Sequence, residues 1–449
     1  MAFKNTLLFR LFPFILLFIL AVLVRYQYWT VHPVLFASPD TYGYYIAGQR
    51  LITEGIITDD ARPPFYSLIL ILPSFLKGRP ETPILSADFF ADMRIIILFQ
   101  SFLGLLSLAV LYRILSILKF SRLVTCLFTL FTGLNIMIFS MERILMTETV
   151  TAFLILLYTL TFINLIKSWS YKKLTSLFFL LILIFLTKPI YILLPVFSFI
   201  IIILIFGKKK IIPASIPLLF FVLLVFLYSS LNYVRYGYYG FSRTIDFNLL
   251  GKILTQNLNI EPSRDNYYYP YLSRYVSAGK EPQPYRFMES VNPLYYLDKK
   301  KMNNLQPLVR SVITANFPVY LYKSLLEIPI AMVQPNLEVI EKPGSGSLAH
   351  IIVSFLKFFY EKALYITLLA IPSVFLISLS FIKQKNSDNS VWIIIAMIAF
   401  YQVFFTEMFG YGEFGRIISV AQPQIYLLVL GFLLKKFPLN IVRLPLDND

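Results

Sequence analysis

One cysteine, two histidines and only 14% charged residues in a chain of 449 close off several explanations at once. Cys126 has no partner for an intrachain disulfide, and His32 and His350 are too few and too far apart to propose a zinc site. No glycine-rich phosphate loop and no Ser/His/Asp nucleophile arrangement stands out. What is abundant is apolar: 58% of the residues are hydrophobic and the mean hydropathy is +0.71, which excludes a soluble globular or disordered chain.

The apolar residues come in runs. An α-helix of about 20 residues crosses the roughly 30 Å hydrocarbon core and satisfies its own backbone polar groups without water. Ten such spans are expected, near residues 7–25, 91–118, 122–140, 147–166, 173–187, 189–206, 211–232, 363–382, 391–409 and 417–434. The fold class that follows is an all-α polytopic membrane protein.

Lys and Arg orient the bundle. Lys4, Arg10, Arg113, Lys119, Arg122, Lys167, Lys172, Lys173, Lys208, Lys209, Lys210, Lys383, Lys385, Lys435, Lys436 and Arg443 all fall in alternate short loops. By the positive-inside rule that side is cytoplasmic, both termini lie inside, and loops 26–90, 141–146, 188, 233–362 and 410–416 face outward. Most of the formal net charge of +16 therefore reflects topology and anionic lipid, and gives no reason to invoke nucleic acid. Residues 1–25 read as an uncleaved signal anchor, because Arg25-Tyr26-Gln27-Tyr28-Trp29 offers no small-residue cleavage site.

This reading divides the chain into four parts: an N-terminal membrane module of about seven spans over 1–232, an outer-face segment over 233–362, three spans within 363–437, and a cytoplasmic tail over 438–449. The first outer loop, 26–90, is too long and too patterned for a simple connection. Thr41 to Glu54 reads as an amphipathic helix ending at Gly55, and Pro64 to Leu76 as a re-entrant or interfacial helix. The outer segment is rich in tyrosine, proline and asparagine and is expected to form a small α or α+β domain. Within it Pro318 to Val333 has the spacing of an amphipathic helix, Pro343 to Ser347 looks like a tether, and another helix follows over His350 to Phe359.

Charge at the outer rim is sparse and therefore informative. Asp40 follows the first span in Ser38-Pro39-Asp40-Thr41-Tyr42-Gly43-Tyr44-Tyr45, and Arg62-Pro63-Pro64-Phe65-Tyr66 comes some twenty residues later. Glu142, Arg143 and Glu148 gather where the third span meets the fourth, and Lys188 and Arg416 sit at other outer helix ends, against the positive-inside trend. Each has a plain structural alternative. Asp40 would cap the following helix, Arg62 would pair with Asp59 or Asp60, Lys188 would snorkel, Arg416 would pair with Glu413, and Arg143 would pair with Glu142 or Glu148.

In this order the motifs resemble the GT-C glycosyltransferases, in particular the bacterial branch related to protein O-mannosyltransferases and the lipid A aminoarabinose transferase. The resemblance rests on the Asp after the first span with its tyrosine-containing helix, Gly55, Arg62 to Tyr66, Leu145-Met146-Thr147-Glu148, Thr187-Lys188-Pro189, Leu231-Asn232-Tyr233 with Tyr236-Gly237, Asn316 to Leu321, and Glu413-Phe414-Gly415-Arg416. Two positions depart from it. Lys188 stands where the family more often has Arg, which loses a planar fork for phosphate, and Thr41 follows Asp40 where many members carry a second acid.

The resemblance implies a sugar donor on a polyprenyl phosphate, an acceptor that is lipid, glycan or protein, and an active site on the extracytoplasmic face of a plasma (bacterial inner) membrane. It implies Asp40 as the catalytic base in an inverting transfer. Arg62, Lys188 and Arg416 become the groups for the donor phosphate, and Glu148, Arg143, Tyr45 and Tyr66 contact the acceptor or support the site. No metal ligands are assigned and no cofactor is certain, with assistance by a divalent metal left open. A polysaccharide polymerase or ligase of the O-antigen type is the alternative enzyme; its important basic residues belong in two outer loops. A lipid or sugar transporter is the alternative outside enzymology; it would place charges near the bilayer midplane, and Pro195, Pro217 and Pro372 are positions where spans would break.

Overall fold

A computed structural model describes residues 7–31, 37–295, 298–336, 348–383 and 387–434. The expected tether at Pro343 to Ser347, the tail 438–449, His32, and Lys4, Lys385, Lys435, Lys436 and Arg443 lie outside the described residues.

Among the described residues the fold is helical and holds no β-strand, so the outer segment is all-α rather than α+β. The first half comprises α1 (Leu7–Val31), α2 (Pro39–Thr53), α3 (Pro64–Leu76), α4 (Ala87–Ile117), α5 (Arg122–Gly133), α6 (Ile136–Phe139), α7 (Glu148–Lys167), α8 (Tyr171–Thr187), α9 (Leu194–Phe206) and α10 (Ile211–Tyr236). The outer segment, so named for the side expected of it from the sequence, supplies α11 (Thr244–Thr255), α12 (Tyr269–Ser277), α13 (Pro284–Val291), α14 (Lys299–Met302), α15 (Leu305–Ala315) and α16 (Phe317–Val333). The chain returns through α17 (Leu348–Ala363), α18 (Ala370–Lys383), α19 (Ser387–Phe409), α20 (Phe414–Ile418) and α21 (Gln422–Leu433).

Among the described residues eight helical runs are long and apolar enough to cross a membrane, or nine if a bent pair counts as one span, against the ten expected. Two differences have a local cause. The expected span 122–140 bends by 48° between Arg122–Gly133 and Ile136–Arg143. There the Asn135 side chain accepts from the Met137 amide and starts a new helix, so the apolar run is not one rod. The expected span 173–187 forms as α8, 17 residues long, or about 26 Å.

A third difference lies near the end of the chain. The helix expected over His350 to Phe359 does not stop before the membrane. It continues through a 3₁₀ segment, Leu364–Leu369, into α18 as one run, Leu348–Lys383, and packs against α1.

The lipid-facing and buried faces separate as a membrane solvent requires. Ile212, Ile216, Leu219, Phe220, Phe226 and Leu227 on α10 are exposed large apolar side chains, whereas α19 and α21 are buried almost throughout. Hydroxyls inside the helices bond their own backbone: Thr129 to the Thr125 carbonyl, Thr151 to Thr147 and Thr159 to Ile155. These three hydroxyls are thus satisfied locally.

Two cores result. One runs through the membrane helices, and a second joins Phe247, Leu250, Leu272, Phe287, Leu305 and Val312 of the outer segment to Met408 at the end of α19. Helices α2 and α3 pack closely on each other, and Gly48 permits it: a Cβ there would overlap the Ser67 carbonyl. This holds the first outer loop against the bundle.

Candidate functional site

The start of α2 is built by a capping box. Ser38 is the cap, with its hydroxyl accepting from the Thr41 amide and its own amide donating to Thr41 Oγ1 at 3.0 Å. The capping role weighed for Asp40 therefore belongs to Ser38. Thr41 Oγ1 also donates to the Leu145 carbonyl at 2.9 Å, which pins this helix start to the segment that leads into Glu148.

Asp40 sits in the first turn with its side chain 41% exposed, and Arg62 Nη2 donates to its Oδ1 at 2.5 Å. The Arg62 guanidinium also lies over the Tyr44 ring, 5.1 Å from its centre. Asp59 holds the loop rather than the side chain, because its Oδ1 accepts from the Ala61 and Arg62 amides. Burial alone would lower the Arg62 pKa, but the Asp40 carboxylate and the Tyr44 ring outweigh it and keep the cation firmly charged.

The loop carrying Arg62 is clamped from the end of α10 and the segment that follows it. Asn232 donates to the Asp59 and Gly240 carbonyls, Ser242 Oγ to the Ala61 carbonyl at 2.8 Å, and Arg243 N–H to the Asp60 carbonyl at 2.7 Å. Buried Asp60 pairs with Arg243 at 3.0 Å and Lys299 at 2.9 Å. Asp60 thus anchors the loop and is not Arg62's partner.

A second charged group gathers around Glu148, the first residue of α7. Lys188 Nζ lies 3.0 Å from Glu148 Oε1 and Arg416 Nη1 lies 3.7 Å from the same oxygen. Arg416 also pairs with Glu413, a residue held at φ +43°, in the left-handed region. Lys188 occupies the break between α8 and the 3₁₀ segment Pro189–Leu193, while Arg416 lies on short α20. Three residues far apart in sequence thus meet at three helix ends.

Tyr44 and Tyr66 lie between these groups. Their rings meet edge to face at 5.2 Å. Burial pushes Tyr44 up to about 12, Arg62 opposes that shift, and both Asp40 and Glu148 add to it. Tyr66 is raised by burial and then by Glu148. Tyr44 therefore feels both clusters. Tyr285 of α13 is also pushed up to about 12, by burial first, with Asp40 and Glu413 adding to the shift and Arg62 opposing it.

Arg143, Tyr45 and the Tyr66 hydroxyl have structural partners of their own. Arg143 lies over the Trp29 ring at 5.3 Å, and the Glu142 beside it is bound by Arg25, not by Arg143. Tyr45 is fully buried with its hydroxyl 2.9 Å from Ser74 Oγ, and Tyr66 donates to Gln100 Oε1 at 2.7 Å. Both are committed to packing between α2, α3 and α4. Among the described residues no three His, Cys, Asp or Glu side chains come together as a metal site would need.

Sequence reasoning passed over Tyr285 and the Arg25–Glu142 pair. Arg25 at the end of the first span, where Arg opposes the positive-inside trend, was a readable signal for the pair. Tyr285 offered none, because it is one of 30 tyrosines.

No protein-family model matches the chain, and no curated protein matches it. Solved structures similar to it include the oligosaccharyltransferase AglB from Archaeoglobus fulgidus in complex with an inhibitory peptide and a dolichol-phosphate. The TM-score is 0.46 at 12% identity, over 96% of this chain and 51% of that one. The apo form of the Archaeoglobus fulgidus oligosaccharyltransferase gives 0.47 at 14% identity, over 97% and 51%. ArnT from Cupriavidus metallidurans bound to undecaprenyl phosphate gives 0.35 at 13% identity, over 92% and 77%. The chain spans about half the length of the oligosaccharyltransferase chains it resembles.

Proposed function

We propose that this chain is an inverting glycosyltransferase of the GT-C type, moving a sugar from a polyprenyl-phosphate donor to an acceptor at the extracytoplasmic face of the membrane. One observation carries the reading. A half-exposed carboxylate, Asp40, and Glu148, which holds Lys188 and Arg416, both act electrostatically on the same tyrosine, Tyr44, in a bundle of apolar helices. A base for the acceptor and positive charge for a leaving phosphate are what this transfer requires.

The step balances as follows. The acceptor's O–H or N–H loses its proton to Asp40 while its oxygen or nitrogen bonds to the anomeric carbon. The bond from that carbon to the phosphate oxygen breaks, and the electron pair leaves with the phosphate. Arg62 orients Asp40 through a charge-assisted bond. Glu148 fixes Lys188 and Arg416 in place, and Glu413 holds the part of the Arg416 fork that a donor phosphate would take over.

The test is transfer of radiolabelled sugar from a panel of polyprenyl-phosphate sugars by the wild-type chain, Lys188→Gln and Arg416→Gln in vesicles of known orientation. Donor KM should rise at least tenfold in both variants, an order-of-magnitude expectation for a hydrogen bond to a charged group. Unchanged donor dependence refutes the phosphate roles, and product on the cytoplasmic face refutes the sidedness.

A further inference from the structure

We infer that Tyr285 is the platform on which the pyranose ring of the sugar being transferred lies, making it a specificity residue for the sugar half of the donor. The inference rests on the glycosyltransferase reading above and adds to it a residue of the outer segment.

The geometry begins at the Arg62 loop. Ser242 Oγ and Thr244 Oγ1 both donate to the Ala61 carbonyl, at 2.8 and 3.5 Å, so the N-terminus of α11 stands on the residue next to Arg62. Phe247 lies one turn further along α11, on the same side as Thr244. It is buried, and the Tyr285 ring stacks on it at 5.3 Å with an angle of 14° between the planes. Tyr295 closes the edge of Phe247 at 5.8 Å. Tyr285 is thus fixed from behind.

The far side of the site reaches the same place. Tyr411 packs on Gly251 of α11, where a Cβ would overlap its ring, and its hydroxyl donates to the Pro282 carbonyl at 2.7 Å. Pro282 is three residues before Tyr285, and Glu413, the partner of Arg416, is two residues after Tyr411. Tyr285 is therefore suspended between the loop of Arg62 and the turn of Glu413. Its electrostatic coupling to Asp40, Arg62 and Glu413 agrees with that placement.

Tyr285 is nevertheless 43% exposed, in contrast to Tyr45 and Tyr66, which are fully buried. A stacked ring with exposed surface, coupled electrostatically to Asp40 and to Glu413, is suited to the apolar C–H face of a sugar. The donor's sugar must lie between the attacked side and the leaving phosphate, and Tyr285 is coupled to Asp40 on the one hand and to Glu413, the partner of Arg416, on the other.

The test uses the full chain in detergent and measures binding of two probes, a polyprenyl-phosphate hexose series and bare polyprenyl phosphate of the same length, to wild type, Tyr285→Phe and Tyr285→Ala. Wild type should prefer the best sugar-bearing lipid over the bare one. Tyr285→Ala should lose roughly three- to tenfold in affinity for the sugar-bearing lipid with bare-lipid affinity unchanged, and Tyr285→Phe should keep the preference. A preference that survives in Tyr285→Ala overturns the inference and leaves the glycosyltransferase reading standing. Equal losses for both lipids overturn it too, since the ring would then support the site without touching sugar. Binding of neither lipid by wild type overturns the glycosyltransferase reading together with the inference.

Discussion

Two carboxylate–arginine pairs, Arg25–Glu142 and Arg62–Asp40, use the same chemistry to opposite ends. In the first, Arg25 donates to Glu142 at 2.7, 2.9 and 3.1 Å and sends its other nitrogen to the Ala21 and Gly133 carbonyls at 3.2 and 2.9 Å. Both side chains are buried, and Gly104 leaves just the space that Glu142 fills, since a Cβ there would overlap its carboxylate. In the second, Arg62 takes one oxygen of a carboxylate whose side chain is 41% exposed. A closed pair holds helices together, and a half-open pair is in a position to meet a substrate. Formal charge in the sequence does not distinguish the two; burial and the number of bonds do.

Breaking the closed pair should have the largest effect. Glu142→Ala leaves Arg25 buried without its carboxylate, and the expected loss is about 3–5 kcal/mol of stability, read as a large fall in apparent unfolding temperature in detergent. Gly104→Ala should destabilise in the same direction by displacing the carboxylate, without removing any charge. If either variant unfolded like wild type, the pair would not be the fastening the geometry describes.

Opening the half-open pair should do the reverse. Asp40→Asn is expected to reduce transfer by about 10²- to 10⁴-fold, the usual worth of a general base, while stability changes by no more than about 0.5 kcal/mol, as for other partly exposed positions. Matched initial-rate and unfolding measurements decide this. A stability loss as large as that of Glu142→Ala would place Asp40 among the structural charges.

The Glu148 cluster lies between the two in burial and should lie between them in effect. Glu148→Gln leaves Lys188 and Arg416 close together without their shared anion, so both turnover and stability should drop, each by about 1–3 kcal/mol. A change in only one of the two would assign Glu148 wholly to the site or wholly to the scaffold.

The smallest effect is expected at the exposed end. Glu413→Gln loosens one partner of Arg416 and should lower donor KM a few-fold, a change worth about 1 kcal/mol or less for a partly exposed pair. A raised KM would show that Glu413 positions Arg416 rather than standing in the donor's place.

The sequence was most readable where one local property decides the structure. Hydropathy located the helices that now appear as α4, α7, α10 and α19, and the short apolar run at Pro64–Leu76 emerged as α3 with the same bounds. Pattern alone could not show that Asn135 restarts a helix inside an apolar stretch, or that α17 runs on through Leu364–Leu369, because both depend on what the helix packs against.

The candidate site residues divide in the same way. Asp40, Arg62, Glu148, Lys188 and Arg416 were visible singly, as charges at the rim of apolar segments, where desolvation makes a charge costly. Their sorting into two clusters was not visible, since Lys188 and Arg416 reach Glu148 across 40 and 268 residues of chain. Arg143, Tyr45 and Tyr66 had the expected chemistry in the expected neighbourhood, and their partners, Trp29, Ser74 and Gln100, were not legible in the sequence because tertiary packing sets them.

The most direct measurement is sugar transfer from a polyprenyl-phosphate donor panel by the wild-type chain and by Asp40→Asn at matched expression, with unfolding recorded on the same preparations. Transfer by wild type that vanishes in a stably folded Asp40→Asn protein is the predicted result. Equal transfer by both would contradict the account and move the base away from the Asp40–Arg62 pair.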